Sequence, residues 1–525
     1  MEQEYQTVQE TVQETVQEMP EPKPKKKWLL PVVIVAAVLA VALLTGGVLL
    51  AVGAFGGKSG ADKAYAIYSQ RDADGEAFLT LYDGTCVRFK DDVYRAVMTP
   101  DRKRIAVLTQ ERQLYLTDKD RSEKIRVSND AVNLLLVCDT GLIYRDLEGE
   151  NWRYTFRDGE KTALKSGYAI CADNSLSVLY AKEGRIYLLP EGETDAERVG
   201  SYDVSPELMR VSDDGKFAIW SETGYNKTYT VSVYDNGERS KIEVTDSLLY
   251  AFSADGKLAV LYGSNSETFW IVRQGQETVK VKLPAAVLRS PSFSSDNGYL
   301  TLQNAADVKH LYIKADNSSV NCVNLDGSRD RVVSKVRNFA VNNGHIVYTD
   351  EDKTLYTAKI KGAEIFDEIK LASDVDSFEV TANGKYVYFL RDLEIGEGGA
   401  LTGALCCNQI GTETVKKVAN DVDLSGRCIS PAGDTVLFFK DTERIGDSYS
   451  SMGTLYAWSY GKEETKKIAN DVVVYSPDSG KKLGVDPSSF VFQKFDGLDS
   501  DGKMLCNWMY CNGSETVKFA TSLGY

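Results

Sequence analysis

The chain has 525 residues, with 61 Lys and Arg against 76 Asp and Glu, a net charge of −15 and only two histidines. This balance disfavours nucleic acid, whose phosphates need clustered Lys and Arg, and it disfavours electrostatic docking to an anionic lipid surface. Two histidines leave almost no material for a His-based triad, a multi-His metal site or a haem site.

Residues 1–27 hold six Glu, four Lys and three Pro with almost no large apolar side chains, so burial cannot offset the entropy of ordering them. The tetrad TVQE repeats three times, at 7–10, 11–14 and 15–18. It reads as a solvated spacer expanded by short duplication. Thr beside Glu also suits acid-directed kinases, so a docking or phosphorylation tail is the other reading.

The next 30 residues, Trp28 to Gly57, carry no charge. A helix needs about 20 apolar residues to cross a bilayer core, and this run exceeds that. Trp28 stands at one edge, where an amphipathic ring favours the interface, and Pro31 falls in the first turn, where its missing N–H costs little. Lys23, Lys25, Lys26 and Lys27 precede the run and only Lys58 follows closely, which keeps the N-terminus in the cytoplasm. Cleaved signal peptides have apolar regions of about 7–15 residues, so an uncleaved anchor is expected. The organisation that follows is a disordered cytoplasmic tail (1–27), one transmembrane helix (28–57) and an extracytoplasmic region (58–525). The tail takes −2 of the −15 and leaves −13 beyond it.

Nine cysteines are scattered through the exported region with no CxxC, so zinc-ribbon spacing is absent. An odd count argues against a full disulfide framework, and most read as small buried apolar residues. Cys406 and Cys407 are adjacent, but on a strand they point to opposite faces. His310 and His345 each fall in a β-like stretch and read as structural. Two fragments at 72–75 (DADG) and 499–502 (DSDG) lack a full calcium-loop pattern and read as plain turns. No metal site and no cofactor is expected.

From residue 99 onward a polar turn followed by an alternating apolar run recurs. It reads SDDGKFA at 212–218, SADGKLA at 253–259, TANGKYV at 381–387 and SPAGDTV at 430–436, with weaker copies at 138–143 and 171–176. The turn residues Arg102, Gly141, Asn174, Gly215, Gly256, Gly298, Gly344, Gly384, Gly433 and Gly480 are spaced 33 to 49 residues apart, near 42 on average. That is the size of one propeller blade. A strand with Tyr follows each turn, as at Leu114–Tyr115, Ile186–Tyr187, Val233–Tyr234, Leu311–Tyr312, Leu355–Tyr356 and Leu455–Tyr456. A further short strand follows, reading ETVK at 277–280, 413–416 and 515–518. Each unit therefore predicts four short strands joined by Gly, Asn and Asp turns. A single such sheet cannot bury both faces, whereas stacked sheets can.

The expectation is an all-β array of four-stranded β-propeller blades, about 10–11 units, after a single transmembrane helix. The first unit, near 64–90, lacks its innermost strand. The array forms one large ring or two, with a break near Leu283–Pro284–Ala285. The SxDGKxxA turn with the following LYxxD-like strand resembles the WD40-like repeat of TolB-type propellers, also found in the propeller domains of prolyl oligopeptidase relatives. The Gly-His and Trp-Asp signatures of true WD40 repeats are missing. The resemblance implies a fold that hosts receptors, scaffolds and enzymes alike. No G-x-S-x-G elbow and no hydrolase segment follows, so it carries over no catalytic residue.

Two functions remain in view. The first is a non-enzymatic module binding a protein or a cell-envelope polymer. The second is a polysaccharide hydrolase or lyase built from loop carboxylates, which needs two carboxyls about 5–9 Å apart across a cleft. Three connections between second and third strands look long, at 221–228, 393–403 and 441–453. Long loops on a rigid scaffold carry recognition, and Arg and Tyr anchor interfaces. The candidate binding residues are Tyr225, Glu397, Arg444, Asp447 and Tyr449, beside Gly398 and Gly399.

Overall fold

The computed structural model describes residues 66–523 apart from short segments, the longest being 72–76, 284–291, 396–400, 446–450 and 475–489. The tail (1–27) and the apolar run (28–57) lie outside the described residues. Among the described residues no helix is long and apolar enough to cross a membrane, and a 3-10 turn spans Ala305–Asp307. The long elements among the described residues are all strands.

The strands form one three-stranded sheet, eight four-stranded sheets and one seven-stranded sheet, and within each the spatial order follows chain order. Neighbouring strands are antiparallel throughout, as in Phe217↔Asp235 and Val387↔Asn408. These meanders are propeller blades. Counted along the chain they are unit 1 (66–89), unit 2 (93–128), unit 3 (131–163), unit 4 (168–201), unit 5 (208–245) and unit 6 (248–282). Then come unit 7 (292–333), unit 8 (336–372), unit 9 (375–423), unit 10 (428–474) and unit 11 (490–523). Units 10 and 11 share the seven-stranded sheet, joined by the single pairing Val472↔Lys494. Unit 1 has three strands, and the weak repeats at 138 and 171 are the first turns of units 3 and 4.

The repeat has a local cause. In unit 5 the Ser212 hydroxyl donates to Asp214 Oδ1 at 2.7 Å, the Lys216 N–H donates to the same oxygen at 3.1 Å, and the Phe217 N–H donates to Ser212 Oγ at 3.1 Å. Ser253 and Asp255 do the same in unit 6, Thr381 and Asn383 in unit 9, and Thr99 and Asp101 in unit 2. The side chains supply acceptors for backbone donors that the tight turn leaves without a ladder partner. Gly256 has φ +68, and a Cβ there would lie 2.9 Å from the Val211 carbonyl oxygen of the preceding unit. The turn is thus pressed onto its neighbour as well as bent.

One expectation fails in unit 7. Leu311–Tyr312 was expected on a third strand, but Ser292–Ser295 pairs directly with His310–Lys314, so Leu311 and Tyr312 sit on the second. The residues just before that strand fold into turns (Gln303 N–H to Leu300 O, Asp307 N–H to Asn304 O). The Ala305 N–H donates to both Asp255 oxygens of unit 6, at 3.1 and 3.2 Å. A tie to the neighbouring unit holds this stretch out of the ladder.

Each pair of consecutive units encloses its own apolar cluster. In unit 10, Phe438 packs with Tyr388, Leu390 and Cys407 of unit 9. Leu437 and Phe439 face the other way, onto Phe490 and Phe492 of unit 11. The alternation is the period of two that a strand imposes. Units 6 and 7 pack in the same fashion on either side of 284–291, with Leu258, Val260 and Phe269 against Leu311, Ile313 and Val323. The first strand, Ala66–Arg71, lies against the last, Thr516–Leu523.

Two substitutions separate these contributions. Phe438→Ala should cost about 3–5 kcal/mol, the range for a fully buried Phe, and Ser253→Ala about 1–3 kcal/mol, because the Leu258 N–H loses its acceptor. Thermal unfolding followed by circular dichroism should show the first melting well below the second, and the reverse order would contradict the packing described.

Candidate functional site

The connections read as long loops in units 9 and 10 are extended hairpins. In unit 9, Tyr386–Ile395 pairs with Leu401–Gln409, and in unit 10, Thr435–Arg444 pairs with Ser451–Ser459. Unit 11 repeats the pattern with Phe490–Leu498 and Met504–Cys511. In unit 5, Phe217–Thr223 pairs with Thr228–Asp235, so residues 221–223 and 228 belong to strands rather than to a loop. By contrast the corresponding strands of unit 2 have five and four residues.

Each tall hairpin bends at one level. The register shifts between Arg391 and Glu394, between Lys440 and Glu443, and between Phe495 and Gly497. Asp392, Asp441 and Gly497 take positive φ (56, 55 and 130). The outermost strands shift alongside, with Asp421 and Asp471 at φ 53 and 56. Asp tolerates the left-handed region better than most residues, and such bulges sharpen strand twist. Gly403 lies opposite the unit 9 bend, where a Cβ would come within 2.7 Å of the Arg391 carbonyl oxygen. The Gly and Asp that mark loops in a sequence here mark bends within paired strands.

The described ends of these hairpins carry both apolar and charged groups. Ile395 is 77% exposed and pairs across the ladder with Leu401, 43% exposed. Leu498, 53% exposed, pairs with Met504. Arg444 is exposed opposite Ser451. Tyr225, Glu397, Asp447 and Tyr449, together with Gly398 and Gly399, lie outside the described residues. Below the tips, Ile445 and Val473 of unit 10 pack with Cys506 of unit 11 and with Met452, Phe495 and Met504. The Thr442 hydroxyl donates to Asp423 of unit 9. Near its outer end the unit 10 hairpin is therefore packed against unit 11 and hydrogen-bonded to the last strand of unit 9. Ile395, Leu401 and Leu498 escaped the sequence reading because an exposed pair at a hairpin end has the same alternation as a buried one.

Carboxylates gather instead on the opposite side, at the first turns of units 4 to 6. Burial raises the Asp173 and Asp213 carboxyls above the usual range. Burial would raise Asp214 too, but hydrogen bonds from Lys257, Ser212 and Gln274 outweigh it and hold its pKa at about 2. The Lys257 Nζ is 2.7 Å from Asp214 Oδ2. These groups are committed to joining turns: Asn174 donates to Asp213 by its N–H and its side chain, at 3.0 and 2.8 Å, and Arg210 reaches Asp173 at 3.4 Å. Two open clefts lie between neighbouring blades. One of about 460 Å³ is lined by Arg126, Asp130, Tyr144, Trp152 and Lys161, and one of about 550 Å³ by Asp235, Arg239, Arg273 and Glu277 among others. Neither contains the raised carboxyls.

Cys138, Cys171, Cys406, Cys407, Cys506 and Cys511 are free thiols. Cys406 and Cys407 face opposite sides and enter different clusters. Burial pushes the Cys171, Cys407 and Cys428 thiols up to about 12, which keeps them protonated and unreactive. His345 Nδ1 lies 3.1 Å from the Asn343 carbonyl oxygen, and the His310 ring lies beside Tyr312.

No family model matches the chain, and no curated protein matches it. Solved structures similar to it include a eukaryotic initiation factor, at 10% identity over 79% of this chain and 98% of that one, with a TM-score of 0.40. Another is the tricorn protease, at 10% identity over 87% of this chain and 63% of that one, with a TM-score of 0.27. A third is the WD40 domain of SCAP from fission yeast, at 9% identity over 71% of this chain and 96% of that one, with a TM-score of 0.30. The class of the protein, a β-propeller, rests on its own sheets.

The Asp214 network gives a pH signature. Its folded pKa of about 2 lies below the ordinary 3.8, so its stabilisation is complete above 3.8 and is lost as pH falls from 3.8 towards 2. The melting-temperature gap between the native chain and Asp214→Asn should be widest near neutrality and close across that window. A gap that stays constant from pH 6 to pH 2 would show that Asp214 does not titrate as described.

Proposed function

We propose that this chain is a single-pass membrane protein whose extracytoplasmic β-propeller is a non-enzymatic binding or scaffold module for a partner protein or polymer of the cell surface. The observation that carries the reading is the group of three bent hairpins in units 9 to 11. Their ends expose Ile395, Leu401, Leu498 and Arg444 beside residues that pack or hydrogen-bond with the neighbouring unit. An exposed apolar pair beside an Arg on a fixed frame is what interface anchors require. The carboxylate-based hydrolase or lyase receives less support, because the carboxyls with raised pKa are already spent on turn-to-turn contacts.

The anchor is supported by the uncharged run 28–57, and the orientation with 1–27 in the cytoplasm and 58–525 outside by the four Lys that precede it. The TolB-like assignment is supported by the Ser-x-Asp-Gly turn, whose hydrogen bonds recur from unit to unit. A single ring is supported by the continuous packing of units 6 and 7 across 284–291 and by the contact between the first and last strands.

Protease added to intact cells should remove the propeller and spare the tail; protection until lysis would refute the orientation. In a pull-down of cell-envelope material with the full chain, Ile395→Ser with Leu401→Ser, and Arg444→Ala separately, should each weaken capture about tenfold while melting temperature stays unchanged. Undiminished capture by both variants would place the binding surface elsewhere.

A further inference from the structure

The outermost strand of a blade has a free side, and most blades here deny that side to other chains. The outermost strands of units 2, 4, 7, 8, 9, 10 and 11 each pair with a register shift. Those of units 1, 3 and 6 have only three or four residues. Unit 5 differs from both groups. Its outermost strand, Glu238–Thr245, has eight residues and pairs with Thr228–Asp235 at eight consecutive positions without a shift. None of its residues takes positive φ. Among the described residues no strand pairs with its outer side. Bulges and shortness are common means of blunting an edge, and this edge has neither.

The chemistry of the edge follows from its sequence. Ile242 and Val244 pack onto unit 6 with Phe252 and Leu261, while Glu238, Arg239, Ser240, Lys241 and Glu243 are exposed. Asn236 and Gly237 form a two-residue turn, so Asp235 and Glu238 exchange ladder hydrogen bonds. Alternation then commits the even positions to unit 5 and turns the backbone groups of Arg239, Lys241 and Glu243 outward. The Arg239 side chain is already engaged, its Nη2 donating to the Arg198 carbonyl of unit 4 at 2.7 Å. Lys241 and Glu243 make no ion pair among the described residues. The strand holds Glu238, Arg239, Lys241 and Glu243, so it is locally neutral in a region of net charge −13.

We infer that this edge pairs with the same edge of a second copy of the chain, antiparallel about a two-fold axis at Ile242. In that register Ile242 meets its own counterpart, and Lys241 of each copy meets Glu243 of the other. The outward backbone groups of Lys241 and Glu243 bond across the axis. Opposite charges placed directly across a strand pair stabilise it, and like charges destabilise it. Charges that turn away a foreign strand therefore admit this one. A two-fold axis at Lys241 would set Lys241 against itself and draw on Arg239, which is engaged elsewhere. The Thr245 carbonyl lies so close to Gly263 of unit 6 that a Cβ there would collide with it. The open stretch is short, and the association depends on concentration. It uses none of the hairpin residues and does not depend on their binding a partner.

The test is carbodiimide cross-linking of the full-length chain in detergent, with light and heavy isotope-labelled copies mixed equally and the peptides read by mass spectrometry. A product joining Lys241 of one label to Glu243 of the other should grow with protein concentration and exceed other light–heavy products at least tenfold. Light chain carrying Lys241→Glu and heavy chain carrying Glu243→Lys should cross-link at these positions when mixed, since each supplies the charge the other lacks. The chain with both substitutions should keep the product within about twofold. Both side chains are exposed, so the melting temperature of each variant should match that of the native chain. No light–heavy product at these positions, or one no stronger than scattered Lys–carboxylate products, would overturn the pairing. Loss of the product in the doubly substituted chain would overturn the register at Ile242. Cross-linking of Lys241 to a different protein of the cell envelope, in place of the light–heavy product, would overturn self-pairing and assign the edge to a foreign strand.

Discussion

Every internal blade has two apolar faces, and nothing covers either of them except the next blade. Phe438 and Phe439 are consecutive residues buried in different interfaces. Unit 10 therefore has no folded state of its own that hides both. This constraint makes stability a property of neighbours rather than of single sheets. It also requires that the ends of the array be dealt with, and the contact between Ala66–Arg71 and Thr516–Leu523 brings the first and last units against each other.

Apolar faces alone do not set register, because sliding one blade over another costs little if the contact stays greasy. The turns supply that specification. Asp101 N–H donates to Asp139 of the next unit at 2.7 Å, Asp213 N–H to the Asp255 carbonyl at 3.2 Å, and the Asn383 side chain to the Ala432 carbonyl at 2.6 Å. The same short sequence that closes a turn thus aligns it with the following one. The raised pKa values of Asp173 and Asp213 are the electrostatic cost of drawing several such turns together.

This explains what the sequence makes legible. The Ser-x-Asp-Gly turn is local, since donor and acceptor lie within five residues, so the repeat and the all-β architecture can be read directly. The second strand of unit 7 cannot, because what displaces it is a carboxylate of unit 6, 50 residues away. The tall hairpins of units 9 to 11 were hidden by their own bends, since Asp392, Gly403 and Asp441 are the residue types that also make loops. Arg444 was legible as a candidate binding residue, but on a long loop rather than at the end of the strand Thr435–Arg444.

The bends in the outermost strands have a consequence for how many copies can share a surface. The last strand of a blade presents a row of backbone donors and acceptors, which invites pairing with another chain. In units 9 and 10 those strands, Val415–Asp423 and Thr465–Val474, are interrupted by Asp421 and Asp471 at positive φ. Each interruption turns the strand and places a charge on it, which shortens the flat run it presents, and in unit 10 the strand is also met by unit 11 through Val472↔Lys494. At unit 9, therefore, a second chain meets a bent, charged strand rather than a flat template.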